Sequence, residues 1–86
     1  MGTEHHHEHE HGEDRDLAKL RILLPHWIDH NEEHAAGFEE WAAKAAAIGH
    51  EDAAQMIRRA AEAMRQANRS LKLAMESLGV PKVDHE

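Results

Sequence analysis

The spacing of apolar residues along the chain predicts two long helices. From Leu24 onward, apolar and small residues recur at alternating steps of four and three, which is the period of a coiled-coil seam. The first seam consists of Leu24, Ile28, Asn31, Ala35, Phe38, Ala42 and Ala45. The second consists of Ala53, Ile57, Ala60, Met64, Ala67, Leu71, Ala74 and Leu78. No segment shows the polar–apolar alternation of a strand, so we expect an all-α, antiparallel two-helix hairpin with coiled-coil-like packing.

Local signals give the bounds of these helices. The first is predicted over about residues 14–48, with a kink or a short break at Pro25, because proline has no backbone N–H to donate. Gly49 fits the left-handed position that commonly ends a helix, which places the turn at residues 49–50 with His50 as a turn or cap residue. The second helix is predicted over about 51–78. The hairpin domain therefore covers residues 14–79, and a C-terminal tail occupies residues 80–86.

Residues 1–13 differ sharply in composition from the hairpin. This segment, MGTEHHHEHEHGE, contains no apolar residue beyond Met1 and cannot offset the entropy of ordering by burial, so we expect it to be disordered. Alternating imidazole and carboxylate groups are typical of a weak, multi-site chelator of divalent metal ions. The predicted tail ligands are His5, His6, His7, His9 and His11.

Composition excludes several classes of protein. The chain has no cysteine, so it has neither disulfides nor thiolate metal ligands. Its formal net charge of −7 argues against nucleic-acid binding. No apolar run approaches the ~18 residues that span a membrane. A His/Glu tract stands where a secretory signal would have its apolar core, so we expect a cytoplasmic protein without membrane or nucleic-acid partners.

The bulky apolar residues of the first helix predict assembly. Leu23, Trp27 and Trp41 lie beside the seam, where one partner helix cannot cover them. A chain of 86 residues also has a marginal core unless a metal or a second subunit adds to it. We expect a homodimer with four helices and two-fold symmetry. A marginally stable monomer is the alternative.

Three histidines of the first helix form a candidate metal site. His26, His30 and His34 stand at positions i, i+4 and i+8, which fan over ~80° of one helix face. Two imidazoles four residues apart can chelate one ion. The outer pair is ~12 Å apart along a straight helix, so three cannot easily share one ion. In a dimer, each metal could take two histidines from one chain and another from the second.

Three neighbours of these histidines are candidates for the outer shell. Asp29 and Glu33 could accept hydrogen bonds that orient the imidazoles, although such residues more often form a solvated face. Trp27 could exclude water from the metal, although packing is its commoner role.

The stretch His26-Trp27-Ile28-Asp29-His30-Asn31-Glu32-Glu33-His34 reads H-W-x₂-H-x₃-H. It resembles the motif of CooJ-type nickel-binding proteins, which are accessory factors in nickel insertion into carbon monoxide dehydrogenase. The resemblance implies a helical coiled-coil homodimer with nickel bound near the interface by His26, His30 and His34, and Trp27 as the aromatic member of the motif. It covers roughly residues 15–79. The His-rich segment of that family lies at the C-terminus, whereas here it precedes the helices.

Enzymatic readings find no support in the sequence. A ferritin-like di-iron site needs Glu-x-x-His, but Asn31 and Trp27 stand three residues before His34 and His30. We therefore expect a non-enzymatic Ni²⁺ chaperone or buffer for metalloenzyme maturation, with a nickel enzyme or its maturation factors as partners. Imidazole suits Zn²⁺, Co²⁺ and Cu²⁺ as well, so a buffer for one of these ions is an alternative. A purely structural dimerisation module is another.

Overall fold

The protein folds into an antiparallel pair of α-helices. The structure, a computed structural model, describes the backbone of residues 2–79 and the side chains of residues 12–79. Helix α1 covers Gly2–Ala47 and helix α2 covers Glu51–Ser77. No strand occurs among residues 2–79. The predicted all-α hairpin is confirmed.

Helix α1 begins earlier than the sequence predicted. The backbone of residues 2–13 is helical, where we expected a segment without structure. No proline interrupts this segment, and adding residues to an existing helix is much easier than starting a new one. The side chains of the five tail histidines lie outside the described residues, and so do residues 80–86.

The chain does not break at Pro25. Helix α1 runs continuously through this proline, so of the predicted kink or short break the break does not occur, and the kink stays a prediction. An interior proline costs a helix about 3 kcal/mol, because one backbone hydrogen bond is lost and the ring meets the preceding turn. Leu24 beside it is only 3 % exposed, and Ile28 one turn later is half-buried. Packing of these side chains against α2 holds both sides of Pro25 in one helix.

The turn between the helices is a Schellman motif. The N–H of Gly49 donates to the carbonyl of Ala46 at 3.0 Å, and the N–H of His50 donates to that of Ala45 at 2.9 Å. Gly49 has φ +92°, a backbone conformation that glycine adopts without strain. His50 takes the N-cap position of α2 but makes no side-chain capping hydrogen bond. The predicted glycine-ended turn is thus confirmed.

The seam of α1 agrees with the prediction, whereas that of α2 is shifted. All seven predicted α1 positions are buried or half-buried. On α2 the fully buried positions are Ala54, Ala61, Asn68 and Met75. Of the predicted set, Ala53, Ala60 and Ala67 are exposed. The prediction chose an alanine beside the polar Asn68, and the structure instead buries that asparagine.

Asn68 is buried because Asn31 and the backbone of α1 satisfy its amide. Asn31 Nδ2 donates to Asn68 Oδ1 at 3.0 Å, and Asn68 Nδ2 donates to the carbonyl of Ile28 at 3.0 Å. A polar pair inside an apolar helical seam fixes the register between the helices. Both hydrogen bonds fall within residues 28–31, so Asn68 anchors the segment of α1 that carries the candidate ligands.

Candidate metal site on the tryptophan–histidine face

One side of the hairpin is charged. Arg65 on α2 donates to Glu39 on α1 at 2.6 Å and lies 3.7 Å from Glu32. Each of these three residues comes directly after a seam residue in the sequence. The ion pairs Arg58–Glu51 and Arg69–Glu62 lie along the same side. The hydrogen bond to Glu39 raises the pKa of Arg65 above its usual value. We call this side the charged face.

The opposite side combines large rings with small residues. Because residues one position after the seam meet on the charged face, residues one position before the seam share the other side. We call it the tryptophan–histidine face. On α1 it contains Leu20, Leu23, Trp27, His30, His34, Gly37, Trp41 and Lys44. On α2 it contains Ala53, Met56, Ala60, Ala63, Ala67, Ser70, Ala74 and Ser77.

Large apolar side chains on this face are open to solvent. Trp27 is 40 % exposed, Trp41 is 62 % exposed and Met56 is 54 % exposed. Among the described residues that make up this face, from Leu20 to Lys44 on α1 and from Ala53 to Ser77 on α2, Lys44 is the one ionisable side chain besides the two histidines, and its Nζ lies 4.3 Å from the centre of the Trp41 ring. Clustered exposed aromatic residues of this kind mark interaction surfaces. The predicted uncovered position of the two tryptophans is therefore confirmed for the single chain.

The structure brings two of the three predicted ligands together. His30 and His34 lie one turn apart, and their Nε2 atoms are 3.0 Å from each other. Their ring centres are 4.4 Å apart, with the planes at 73°. The ring of His26 lies 6.2 Å from that of His30 and nearly parallel to it, so it stacks beside the pair without converging. All three side chains are exposed.

The distance within the pair fits two ligands of one metal ion. Two metal–nitrogen bonds of about 2.0–2.1 Å that span 3.0 Å enclose an angle of about 91–97°. Without metal, one ring nitrogen donates its proton to the other. Within residues 12–79, no group of three or more His, Asp or Glu side chains could hold an ion. A single chain therefore presents two converged nitrogens and needs further ligands from elsewhere.

The proposed outer-shell carboxylates do not reach the rings. Asp29 follows a seam position and belongs to the charged face, and Glu33 is exposed on the outer side of α1. In the described part of the chain, neither forms a hydrogen bond with a histidine. Trp27 precedes His30 on the tryptophan–histidine face and flanks the histidine pair. Its role in excluding water stays a prediction.

Two features of this region were missed in the sequence. The first is the anchoring of residues 28–31 by Asn68, which the periodicity could have revealed had the polar residue been kept in the α2 seam. The second is that the exposed alanines of α2 lie on the same face as the histidines. This relation depends on the phase of α2 and could not be predicted from α1 alone.

Comparison with known proteins places the chain in a family. Residues 20–78 match the profile of a domain of unknown function, DUF8180. The chain belongs to this family. The match includes both tryptophans and the candidate ligands His26, His30 and His34, whereas the His/Glu segment precedes it.

The chain is also similar to an archaeal protein. The chain is 38 % identical over 63 residues to an uncharacterized protein of Archaeoglobus fulgidus. The aligned segment covers 73 % of this chain and 100 % of the relative. No solved structure matches the chain. None of the described helices is long and apolar enough to cross a membrane.

Proposed function

We propose that this protein binds a divalent transition-metal ion, Ni²⁺ first, and acts as a chaperone or buffer in metalloenzyme maturation. The ligands are His30 and His34, and His26, which the resemblance to CooJ-type proteins adds to the set, stacks beside His30 without converging on the pair. The observation that carries the proposal is the 3.0 Å separation of the His30 and His34 Nε2 atoms on an exposed helix face. No catalytic role is proposed.

The geometry of the pair does not select one metal by itself, because 3.0 Å is also the length of a hydrogen bond between the two rings. An enclosed angle of about 91–97° is near that of neighbouring ligands in square-planar or octahedral coordination, whereas tetrahedral zinc requires about 109°. Rotation of the side chains could open the pair by a few tenths of an ångström, so Zn²⁺ and Co²⁺ remain the alternatives. The H-W-x₂-H-x₃-H motif and its resemblance to CooJ-type proteins support nickel among these ions.

A second copy of the chain is the proposed source of the remaining ligands. The described part of one chain supplies two converged nitrogens, which is fewer than the three or four protein ligands that zinc sites use. The same face exposes Trp27 and Trp41, whose burial in a homodimer would remove apolar area from water. Dimerisation would thus cover the tryptophans and complete the site together.

The exposure of the site suits delivery of the ion. His26, His30 and His34 lie on the outside of the single hairpin, so an acceptor protein can reach the ion once the two copies separate. A nickel enzyme or one of its maturation factors is the proposed acceptor. The histidines of residues 5–11 would gather ions more weakly and hold them near the helical site.

Calorimetric titration with Ni²⁺ tests the proposal. The full chain is used with the five tail histidines replaced by glutamine, so that only the helical site contributes. We expect one class of tight site, and a loss of affinity of at least about 100-fold in His30→Ala/His34→Ala, because the converged pair is gone. His50→Ala is the matched control, since His50 is exposed in the turn, and it should bind as the parent does. Tight binding that survives the double substitution would show that the site lies elsewhere.

The exposed tryptophans favour a second candidate function, a structural dimerisation module. In that case the protein would assemble through the tryptophan–histidine face and its histidines would be incidental. The same titration separates the two functions, because the module would form a dimer and show no stoichiometric uptake of Ni²⁺, Zn²⁺, Co²⁺ or Cu²⁺.

A further inference from the structure

Gly37 is a glycine that a single chain does not require. It lies in the interior of α1, where glycine is unfavourable relative to alanine, and its backbone does not adopt a positive φ. A Cβ atom built on Gly37 would meet nothing within 4 Å. Neither the backbone nor the packing of the described hairpin explains the missing side chain. A close approach by another molecule would explain it.

Gly37 and Trp27 both lie on the tryptophan–histidine face, on opposite sides of the His30–His34 pair and at equal distances from it. Trp27 stands three residues before His30, and Gly37 stands three residues after His34. Trp27, one of the two tryptophans of this face, and Gly37, its missing side chain, are therefore equally far from the centre of the histidine pair.

We propose that a second copy docks antiparallel on this face and that Trp27 of each copy occupies the notch at Gly37 of the other. The two-fold axis passes between His30 and His34, so that His30 of one copy faces His34 of the second copy. The inference rests on the homodimer of the proposed function and assigns its orientation. It also assigns the stoichiometry, because four imidazoles then surround one position on the axis and one metal ion serves the dimer.

The antiparallel arrangement follows from size complementarity. A parallel two-fold arrangement would place Trp27 against Trp27 and Gly37 against Gly37, which gives crowding at one level and a void at another. The antiparallel arrangement pairs large with small at both levels. Lys44 falls at the end of the contact opposite Leu20, where its ammonium group can reach water.

The second copy is also the occupant that the charges favour. Every ion pair assigned above lies on the charged face, away from the contact. The exposed alanines of α2 lie beside the α1 residues of the tryptophan–histidine face and allow close approach by a second hairpin. The tryptophan–histidine face is therefore complementary to the same face of a second copy, and a partner with an opposite charge is not needed.

The first test fills the notch at Gly37 with a leucine side chain. Sedimentation of the full chain in EDTA measures the dimer dissociation constant of Gly37→Leu beside that of Ala36→Leu. Since a side chain at Gly37 meets nothing within one chain, the hairpin stays folded by circular dichroism while dimerisation weakens by at least roughly tenfold. Ala36 is exposed on the charged face, and its substitution leaves dimerisation unchanged. Equal dissociation constants for the two variants overturn the proposal.

A size exchange tests the partner of the notch. Gly37→Trp alone should abolish the dimer by crowding, and addition of Trp27→Ala should restore it, because the large and small positions have then exchanged places. If the double variant stays as weak as Gly37→Trp, Trp27 does not occupy the notch.

The second test measures orientation. The chain contains no cysteine, so Lys44→Cys accepts one spin label per copy. With the axis at the centre of the histidine pair, the two labelled positions are 24 residues apart along the contact, or about 36 Å. Labels that lie close together, or a disulfide between the two introduced cysteines of the unlabelled variant, indicate a parallel dimer. Either result overturns the inference. A monomer both in EDTA and with Ni²⁺ also overturns it.

The two proposals fail differently. An antiparallel dimer that takes up no Ni²⁺ refutes the proposed function and the metal stoichiometry, and leaves the orientation of the two copies intact. A chain that binds Ni²⁺ tightly with the two labels adjacent refutes only this inference.

Discussion

Replacement of Asn68 by alanine tests the polar contact that anchors α2 to the histidine-bearing segment of α1. The substitution removes two hydrogen bonds, one to Asn31 and one to the carbonyl of Ile28. Each is worth about 1 kcal/mol. The amide of Asn31 also loses its acceptor, but Asn31 is only half-buried, so water can replace part of that bond. We expect the free energy of unfolding to fall by about 2 kcal/mol.

A double-mutant cycle isolates the contact between the two side chains. Asn31→Ala removes one hydrogen bond and should cost about 1 kcal/mol. The double variant Asn31→Ala/Asn68→Ala should cost about as much as Asn68→Ala alone, which corresponds to a coupling energy of about 1 kcal/mol. Gln66→Ala is the control, because it removes an exposed amide from the same helix and should change stability by less than about 0.5 kcal/mol.

The measurement is urea unfolding followed by circular dichroism. All variants are compared in EDTA and at one protein concentration, because metal binding or assembly would add to the apparent stability. A loss below about 0.5 kcal/mol for Asn68→Ala would refute the argument. Strict additivity of the single substitutions would refute the direct contact between Asn31 and Asn68.

Three further predictions concern the turn, the proline and the metal. Gly49→Ala should lower stability by about 1 kcal/mol, because Gly49 has φ +92°, and Gly49→Asn should cost less, since asparagine tolerates this conformation; equal melting temperatures for all three proteins would contradict the turn. Pro25→Ala should raise the melting temperature by restoring a donor to the continuous α1, and a lower value would indicate that the helix needs a break there. Ni²⁺ affinity should be at least about tenfold weaker at pH 5 than at pH 7.5, because imidazole must lose its proton to coordinate, and an unchanged affinity in titration would point to carboxylate ligands.

The fold was largely predictable because α1 has one unambiguous seam. Its spacing, together with Gly49 as a helix-ending residue, was enough to predict the hairpin and the position of its turn. Helix α2 is different, since alanines occupy both the buried stripe, as at Ala61, and the exposed stripe beside it, as at Ala60. At these alanine positions, burial of either stripe removes nearly the same apolar area from water, so the alanines cannot choose between the stripes.

The choice is made by hydrogen bonding across the seam. Asn68 can be buried only opposite a donor and an acceptor, and Asn31 with the carbonyl of Ile28 provides both. Such a match involves two segments 37 residues apart in the chain. A pattern read one helix at a time therefore excludes Asn68 as polar, although it fixes the phase of the whole of α2.

The candidate site divides in the same way between local and non-local information. The approach of His30 and His34 follows from helix geometry alone, since side chains four residues apart lie one above the other on the same face. The same geometry carries His26 another turn away, where its ring stacks beside the pair without joining it. A straight helix can thus offer two converged imidazoles but not three. Any further ligand must come from a second element, and within residues 12–79 the hairpin places none there.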